Sequence, residues 1–418
     1  MALGSRLSND GDTNWGPSLK KLEKVLSSWQ HRKLSFRGRA LIANSLGLST
    51  FWYLGAVVAM DSALISAVNK LIFLFVWGKK REWLSRSSVI QPANKGGLGV
   101  VDFWRKLVSL KVMWVKRFLF LPGDRWHLFF RHYLRRAFLA EPVNRVFALS
   151  NTGKSTLRRL PPFYRQVIVA WQFAGGRLFN GIWEIPRENL PPLPLQQATS
   201  QLIYRGLLHN HVIQAPHRCT TKFANIHWTS LWRSLHLLRY DRAAMDTSWL
   251  VAHGILPTAD RLIRFGMKVN PTCHCGKPES LEHLLATCNH AKTILAWYHR
   301  LLSQYRHNIL PLTPSQVLFG HKPADNIPAG FAALLGLIRH RIWVDRNFDR
   351  FDGIQPDPHL SLERIKSSFR FLLRVQRRHS LMSTFELSWL AGGVLGSFDM
   401  DGSFSVCTEL HSTPDHPQ

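Results

Sequence analysis

The sequence predicts a mainly α fold of several helical subdomains. Two observations carry that reading. Apolar residues return every three or four positions through much of the 418-residue chain, and strand-like alternation is scarce everywhere. A third observation adds one small module. Cys273, Cys275, His283 and Cys288 stand within one short stretch. Thiolates and an imidazole in a closed set of four are what a structural zinc ion prefers, so the module reads as a zinc-organised CCHC element.

The elements follow in order. Trp15 to Lys33 is an amphipathic helix, with Leu19, Leu22, Val25, Leu26 and Trp29 on one side and Lys20, Lys21, Lys24 and Arg32 elsewhere. A helix is expected from Ala40 to about Leu48, and another from the N-cap Asp61 to Trp77. Ala40 to Met60 carries no charge, but its glycines and hydroxyl residues make it a buried helix plus a break rather than a membrane span. After the loop Asn94–Gly99, Asp102 opens a helix to about Leu121. Leu190-Pro191-Pro192-Leu193-Pro194 reads as a linker or rigid turn, and Gln196 to Leu208 as a helix. Leu281 to Thr287 is a short helix carrying His283 and Thr287 on one face. Ala291–Tyr305, Ile327–Arg350 and His359–Arg378 complete the set.

These elements group into regions 1–121, 122–245, 246–310 and 311–408, with 409–418 expected to be a disordered tail. The N-terminus lacks an apolar core and is no signal peptide, so secretion is not expected. Cys219 and Cys407 are left over and read as reduced and structurally idle.

In the zinc stretch, one residue separates Cys273 from Cys275, and Gly276-Lys277-Pro278 supplies a turn. The following helix returns His283 and Cys288 to that turn. His274 and His290 are spare imidazoles, either of which could replace His283. No open coordination position with a neighbouring base is visible, so the metal is structural. His209, His211, His217 and Cys219 form a weaker second cluster that reads as surface histidines. Gly153-Lys154-Ser155 lacks the upstream glycine of a phosphate-binding loop, because Ala148 stands there.

The net charge of +28 calls for a polyanionic partner, and RNA or DNA gripped mostly by its phosphate backbone is the simplest. No small-molecule substrate is implied, and an anionic membrane surface is the runner-up. Two basic helices are the candidate contacts. Arg131, Arg135 and Arg136 sit among Trp126, Phe129, Phe130 and Tyr133, a mixture of cations and rings that suits irregular RNA. Lys366, Arg370, Arg374, Arg377 and Arg378 make a stripe beside the apolar Leu362, Ile365, Phe369, Leu372 and Leu373. Both patterns also read as ordinary solvated helix faces.

The run from Leu34 to Asp102 resembles the segment after the catalytic core of LINE-type non-LTR retrotransposon reverse transcriptases. Trp29, Leu34-Ser35, Gly38-Arg39, Leu41-Ile42, Tyr53, Phe75-x-Trp77, Pro92 and Gly96-Gly97-Leu98-Gly99 carry the likeness. The zinc stretch, preceded by Trp249, His253-Gly254 and Thr258, resembles the cysteine/histidine knuckle near the carboxyl end of the same polyprotein. The resemblance implies a helical thumb that tracks primer–template duplex, a zinc knuckle, and a nuclear location, with the cytoplasm otherwise. Fingers, palm and endonuclease would lie upstream of residue 1, and the sequence holds no adjacent Asp-Asp pair for polymerase metals. The expectation is therefore a non-catalytic nucleic-acid-binding fragment. The alternatives are an accessory part of an active reverse transcriptase working in trans, and a peripheral membrane or interaction protein.

Overall fold

The computed structural model describes residues 12–78, 81–139, 143–209, 226–238, 240–307, 309–398 and 404–405. Two compact units form: Met1–Pro92 with Gly97–Ile213, and Ala93–Gly96 with Gln214–Gln418.

The first unit opens with α1 (Asp12–Gln30), whose Trp15 donates from Nε1 to the Ala59 carbonyl at 2.9 Å. Ser35 caps α2 (Phe36–Ile42) by accepting from the Gly38 N–H. The expected helix Ala40–Leu48 is not a single α-helix. It passes into a wider π-type turn at Ala43–Gly47, and α3 (Ser49–Val57) follows at a bend of 45°. Tertiary contacts accompany the change. Asn44 turns its amide to the Gly99 carbonyl and the Val101 N–H, and Gly47 packs so close to Leu22 that a Cβ would lie 2.9 Å from it. Among the described residues no single helix is long and apolar enough to cross a membrane.

The helix expected from Asp61 is α4 (Ser62–Val76), capped by the Asp61 carboxylate on the Leu64 N–H at 2.7 Å. Asp102 does the same for α5 (Phe103–Phe120) through the Arg105 N–H. The short motifs noted above acquire physical reasons. Trp77 sets its ring edge-on to Phe36, and Gly78, at φ +63°, leaves the space that Arg39 fills. A side chain at Gly97 would collide with the Gln91 backbone.

The core of this unit runs across residue 121. It joins α5, α6 (Arg125–Phe138), α7 (Pro162–Phe173) and α8 (Ser200–His209) around Phe130, Leu134, Phe147 and Trp171. Against it lies a three-stranded antiparallel sheet, β1 (Arg177–Phe179), β2 (Ile182–Arg187) and β3 (Leu190–Pro194), in that order. Leu190–Pro194 is therefore a strand, not a linker. Prolines cannot donate to a ladder, but β3 is an edge that pairs only with β2, where missing donors are tolerated.

The second unit contains α9 (Trp228–Ser234), α10 (Arg242–Ala252), α11 (Asn289–Tyr305), α12 (Pro314–Phe319), α13 (Ala329–Asp352) and α14 (Pro358–Arg377). The last two match the expected Ile327–Arg350 and His359–Arg378 within two residues. Phe331, Leu334, Leu335, Ile338 and Ile342 of α13 and Ile365, Phe369, Leu372 and Leu373 of α14 are buried as their spacing requires, and Leu362 is half-buried. Trp249 Nε1 and His253 Nε2 both meet the Gly96 carbonyl, at 2.9 and 2.7 Å. Burial pushes the His253 pKa down to about 4, so its imidazole is neutral and donates there. His211, His217, Cys219, Cys407 and the expected tail 409–418 lie outside the described residues.

Candidate functional site

The metal site is built from a tight turn and a widened helical turn. Asn270 accepts from the Thr272 N–H and hydroxyl, and the Cys273 N–H donates to the Lys277 carbonyl at 2.8 Å. Gly276, at φ +81°, closes this hairpin through its N–H to the Cys273 carbonyl. Cys273 and Cys275 thus project from one small loop. The Ser280 hydroxyl accepts from the His283 N–H and starts the next turn. His283–Thr287 is π-type rather than α, with the Cys288 N–H reaching back five residues to the His283 carbonyl. Cys288 then occupies the N-cap position of α11. Single π turns of this kind gather at functional sites.

The four donor atoms of Cys273, Cys275, His283 and Cys288 all lie within 4.8 Å of one another. The sulfurs of Cys273 and Cys288 are 3.8 Å apart, and Cys275 Sγ is 3.2 Å from His283 Nε2. Tetrahedral zinc with ordinary Zn–S bonds needs sulfurs about 3.8 Å apart. The set is soft, closed and free of carboxylates, so it fits a structural zinc ion. His283 presents Nε2 because Nδ1 faces the Thr287 hydroxyl at 3.3 Å, which orients the ring. The Cys288 thiol lowers the Cys273 pKa by hydrogen bonding, with His274 adding to the effect, and Cys288 is raised by the same contact. Zinc would displace the thiol protons.

The two spare imidazoles are placed differently. His290 is occupied by Asp345, Nε2 to Oδ2 at 3.2 Å. His274 is exposed and leans on the cluster, its Nδ1 3.3 Å from Cys273 Sγ, but it does not belong to the set of four.

Sequence reading missed what holds the turn. Glu279 is 1% exposed and takes Arg346 at 2.7 and 3.1 Å, Arg350 at 2.8 Å and the Ala259 N–H at 2.7 Å. Arg350 also donates to the carbonyls of Asn270, at 2.6 Å, and Thr272, at 3.1 Å. Burial works to raise the Glu279 pKa, but the Arg346 and Arg350 contacts outweigh it and hold the carboxyl below its ordinary value. A second buried carboxylate, Asp345, gathers His290, Arg341 and the Ser361 hydroxyl. The available signal was the spacing of Arg346 and Arg350, one turn apart on a long helix.

Residues 217–295 match the family described as "zinc-binding in reverse transcriptase". An uncharacterized 149 kDa protein of transposon TX1 from Xenopus laevis is 27% identical over 158 residues, covering 35% of this chain and 11% of that protein. A putative ribonuclease H protein of Arabidopsis thaliana is 28% identical over 134 residues, covering 30% of this chain and 21% of that protein. The zinc-binding match and the transposon relative support a likeness to the carboxyl-terminal part of non-LTR retrotransposon reverse transcriptases. It spans only a small part of the curated relatives that it matches.

The candidate nucleic-acid residues fall into two sets by environment. On α6, Arg131, Arg135 and Arg136 are exposed, and Phe129, 63% exposed, shares the face of Arg136. Phe130 is fully buried, and Trp126 and Tyr133 pack half-buried against the core, so most of the interleaved rings are packing. On α14, Arg374 and Arg378 are exposed. Lys366 is bound to Glu363 at 2.8 Å, Arg370 is half-buried, and Arg377 lies over the Phe398 ring with Nη2 near Met382. Phe371, not singled out in the sequence, is 59% exposed on the same helix, because it sits off the apolar stripe.

Proposed function

We propose that this chain is a non-catalytic nucleic-acid-binding region whose zinc site is structural. The observation that carries the reading is the exposed pairing of arginines with a ring. Arg136 stands seven residues from Phe129 on the same face of α6, and Arg374 and the C-cap residue Arg378 share the face of Phe371 at the end of α14, in a chain of net charge +28. A guanidinium grips phosphate, and an exposed ring stacks on any base, so the pair binds without reading sequence. The zinc set has four protein donors and no open position for an activated water, which suits support rather than chemistry. The thumb-like segment would hold duplex by its backbone, in the nucleus.

The test is a salt series of RNA and DNA binding, read by fluorescence anisotropy. Affinity should fall steeply with salt. Arg374→Ala with Arg378→Ala should reduce the log–log slope by about one per lost phosphate contact, alike for all sequences. Binding that stays flat with salt, or a loss confined to one sequence, would contradict the reading.

A further inference from the structure

Arg339 is the most unusual cation in the second unit. It lies on α13 and is only 5% exposed. Its Nε donates to the Val317 carbonyl at 2.6 Å. Among the described residues no carboxylate pairs with it, and its remaining donors border a cavity of about 270 Å³. Buried guanidinium charge without a counter-ion is costly; in this unit the buried Arg346 has its carboxylate, and the buried Arg261 donates to the Gly254 carbonyl.

The cavity walls point the same way. The Lys322 side chain is exposed at its edge. Ser230 lines it with a hydroxyl that has no partner among the described residues. Ala329, the first residue of α13, lines it too, and α13 begins at Pro328 without a side-chain cap. Uncapped N–H groups at a helix start favour an anion. His321, also in the wall, is neutral. Burial pushes its pKa down to about 4, and its Nε2 lies 2.9 Å from the Tyr298 hydroxyl. Asp325 lines a neighbouring cavity, and its carboxylate accepts from the Lys322 N–H at 2.9 Å.

We infer that this cavity is an oxyanion site for a phosphoryl group, with Arg339 as its anchor. A planar carboxylate is satisfied by a guanidinium fork alone. Donors converging from a guanidinium, an ammonium, a hydroxyl and a helix start suit the several oxygens of a tetrahedral dianion. The phosphate of a nucleic-acid chain end and free phosphate share this chemistry.

The probe is inorganic phosphate, titrated into the full zinc-loaded chain by calorimetry at constant ionic strength, with acetate as the planar control. Saturable phosphate binding is expected, at least about tenfold tighter than acetate. Arg339→Met should abolish it. Ser230→Ala with Lys322→Ala, which leaves the buried position intact, should weaken it several-fold and covers the case in which Arg339→Met does not fold. No saturable binding, acetate binding as tightly as phosphate, or unchanged affinity in the variants would overturn the site. Oligonucleotides with and without a 5′-phosphate separate the sources. A preference for the phosphorylated end that Arg339→Met removes assigns a chain end, and equal binding beside retained inorganic phosphate binding assigns the free anion. Because the first probe is inorganic, failure of the nucleic-acid reading would leave this result standing.

Discussion

Around Trp171 the first unit is held by hydrocarbon. Phe118 meets Phe130 and Phe147 at centroid distances of 5.0 and 5.4 Å, and Trp171 donates its indole N–H to the Phe147 carbonyl. Around Cys273 the second unit is built for directional bonds: three sulfurs and an imidazole placed to hold a metal ion, and a buried carboxylate between two arginines. Apolar packing accepts any side chain of suitable volume. A ligand set and an ion cluster accept only one, because removal of a member strands the others. The two regions should therefore differ more in tolerance than in stability.

Zinc removal is the strongest way to break the comparison. Cys273→Ser or Cys288→Ser should abolish metal binding and release turn 271–288, with a loss on the order of 10 kcal/mol of coupled binding and folding. Elemental analysis reads the first effect and amide exchange the second. Exchange around Trp171 should not change. If it does, the two regions are not independent.

Glu279→Gln should rank next. It leaves the buried Arg346 and the half-buried Arg350 without their anion and should cost about 3–5 kcal/mol in urea unfolding. A milder loss in Glu279→Leu with Arg346→Met would show that the stranded charge, and not the lost contact, dominates.

Lys111 tests the apolar region from inside. Its ammonium lies 4.3 Å from the Phe163 ring centre and donates to the Val58 carbonyl at 2.8 Å. Burial pushes its pKa down to about 7, below the unfolded value of about 10.4. A base depressed in the folded state binds fewer protons there than in the unfolded chain. Its penalty is full below pH 7 and fades as pH rises toward 10. Urea midpoints of the wild type should rise over that window, relative to Lys111→Met. The variant should be more stable at pH 6 by an amount on the order of a few kcal/mol. Equal slopes would show that Lys111 is not desolvated.

The smallest effect is expected from Leu134→Met, a volume-conserving change at a fully buried position, at under about 1.5 kcal/mol. A larger loss would mean that this core is as exacting as the metal site.

The same contrast explains what could be read in advance. Periodicity and N-caps are local, so α4 from Asp61 and α5 from Asp102 were legible, as was the ligand set, which is nearly contiguous. The sheet was not, because Leu178, Phe179, Ile182 and Leu190 are exposed and leave no alternation. Asn180-Gly181, both at positive φ, was the overlooked hairpin signal. The π-type turn at His283 and the arginines on Glu279 depend on tertiary contacts that local spacing does not encode. In the basic helices the charges were visible, but which face water was not: Phe371 is outward and Phe130 inward by a difference of helical phase.

Arg346 and Arg350 have a consequence for the order of assembly. Cys273 and Cys288 are 15 positions apart, whereas Glu279 waits 67 positions for Arg346. Short closures lose less entropy than long ones, and a chain leaving the ribosome presents all four ligands before α13 exists. The nascent turn can thus capture its ion first and be locked later. A translation product cut where the family match stops would keep the ligands and never acquire the lock.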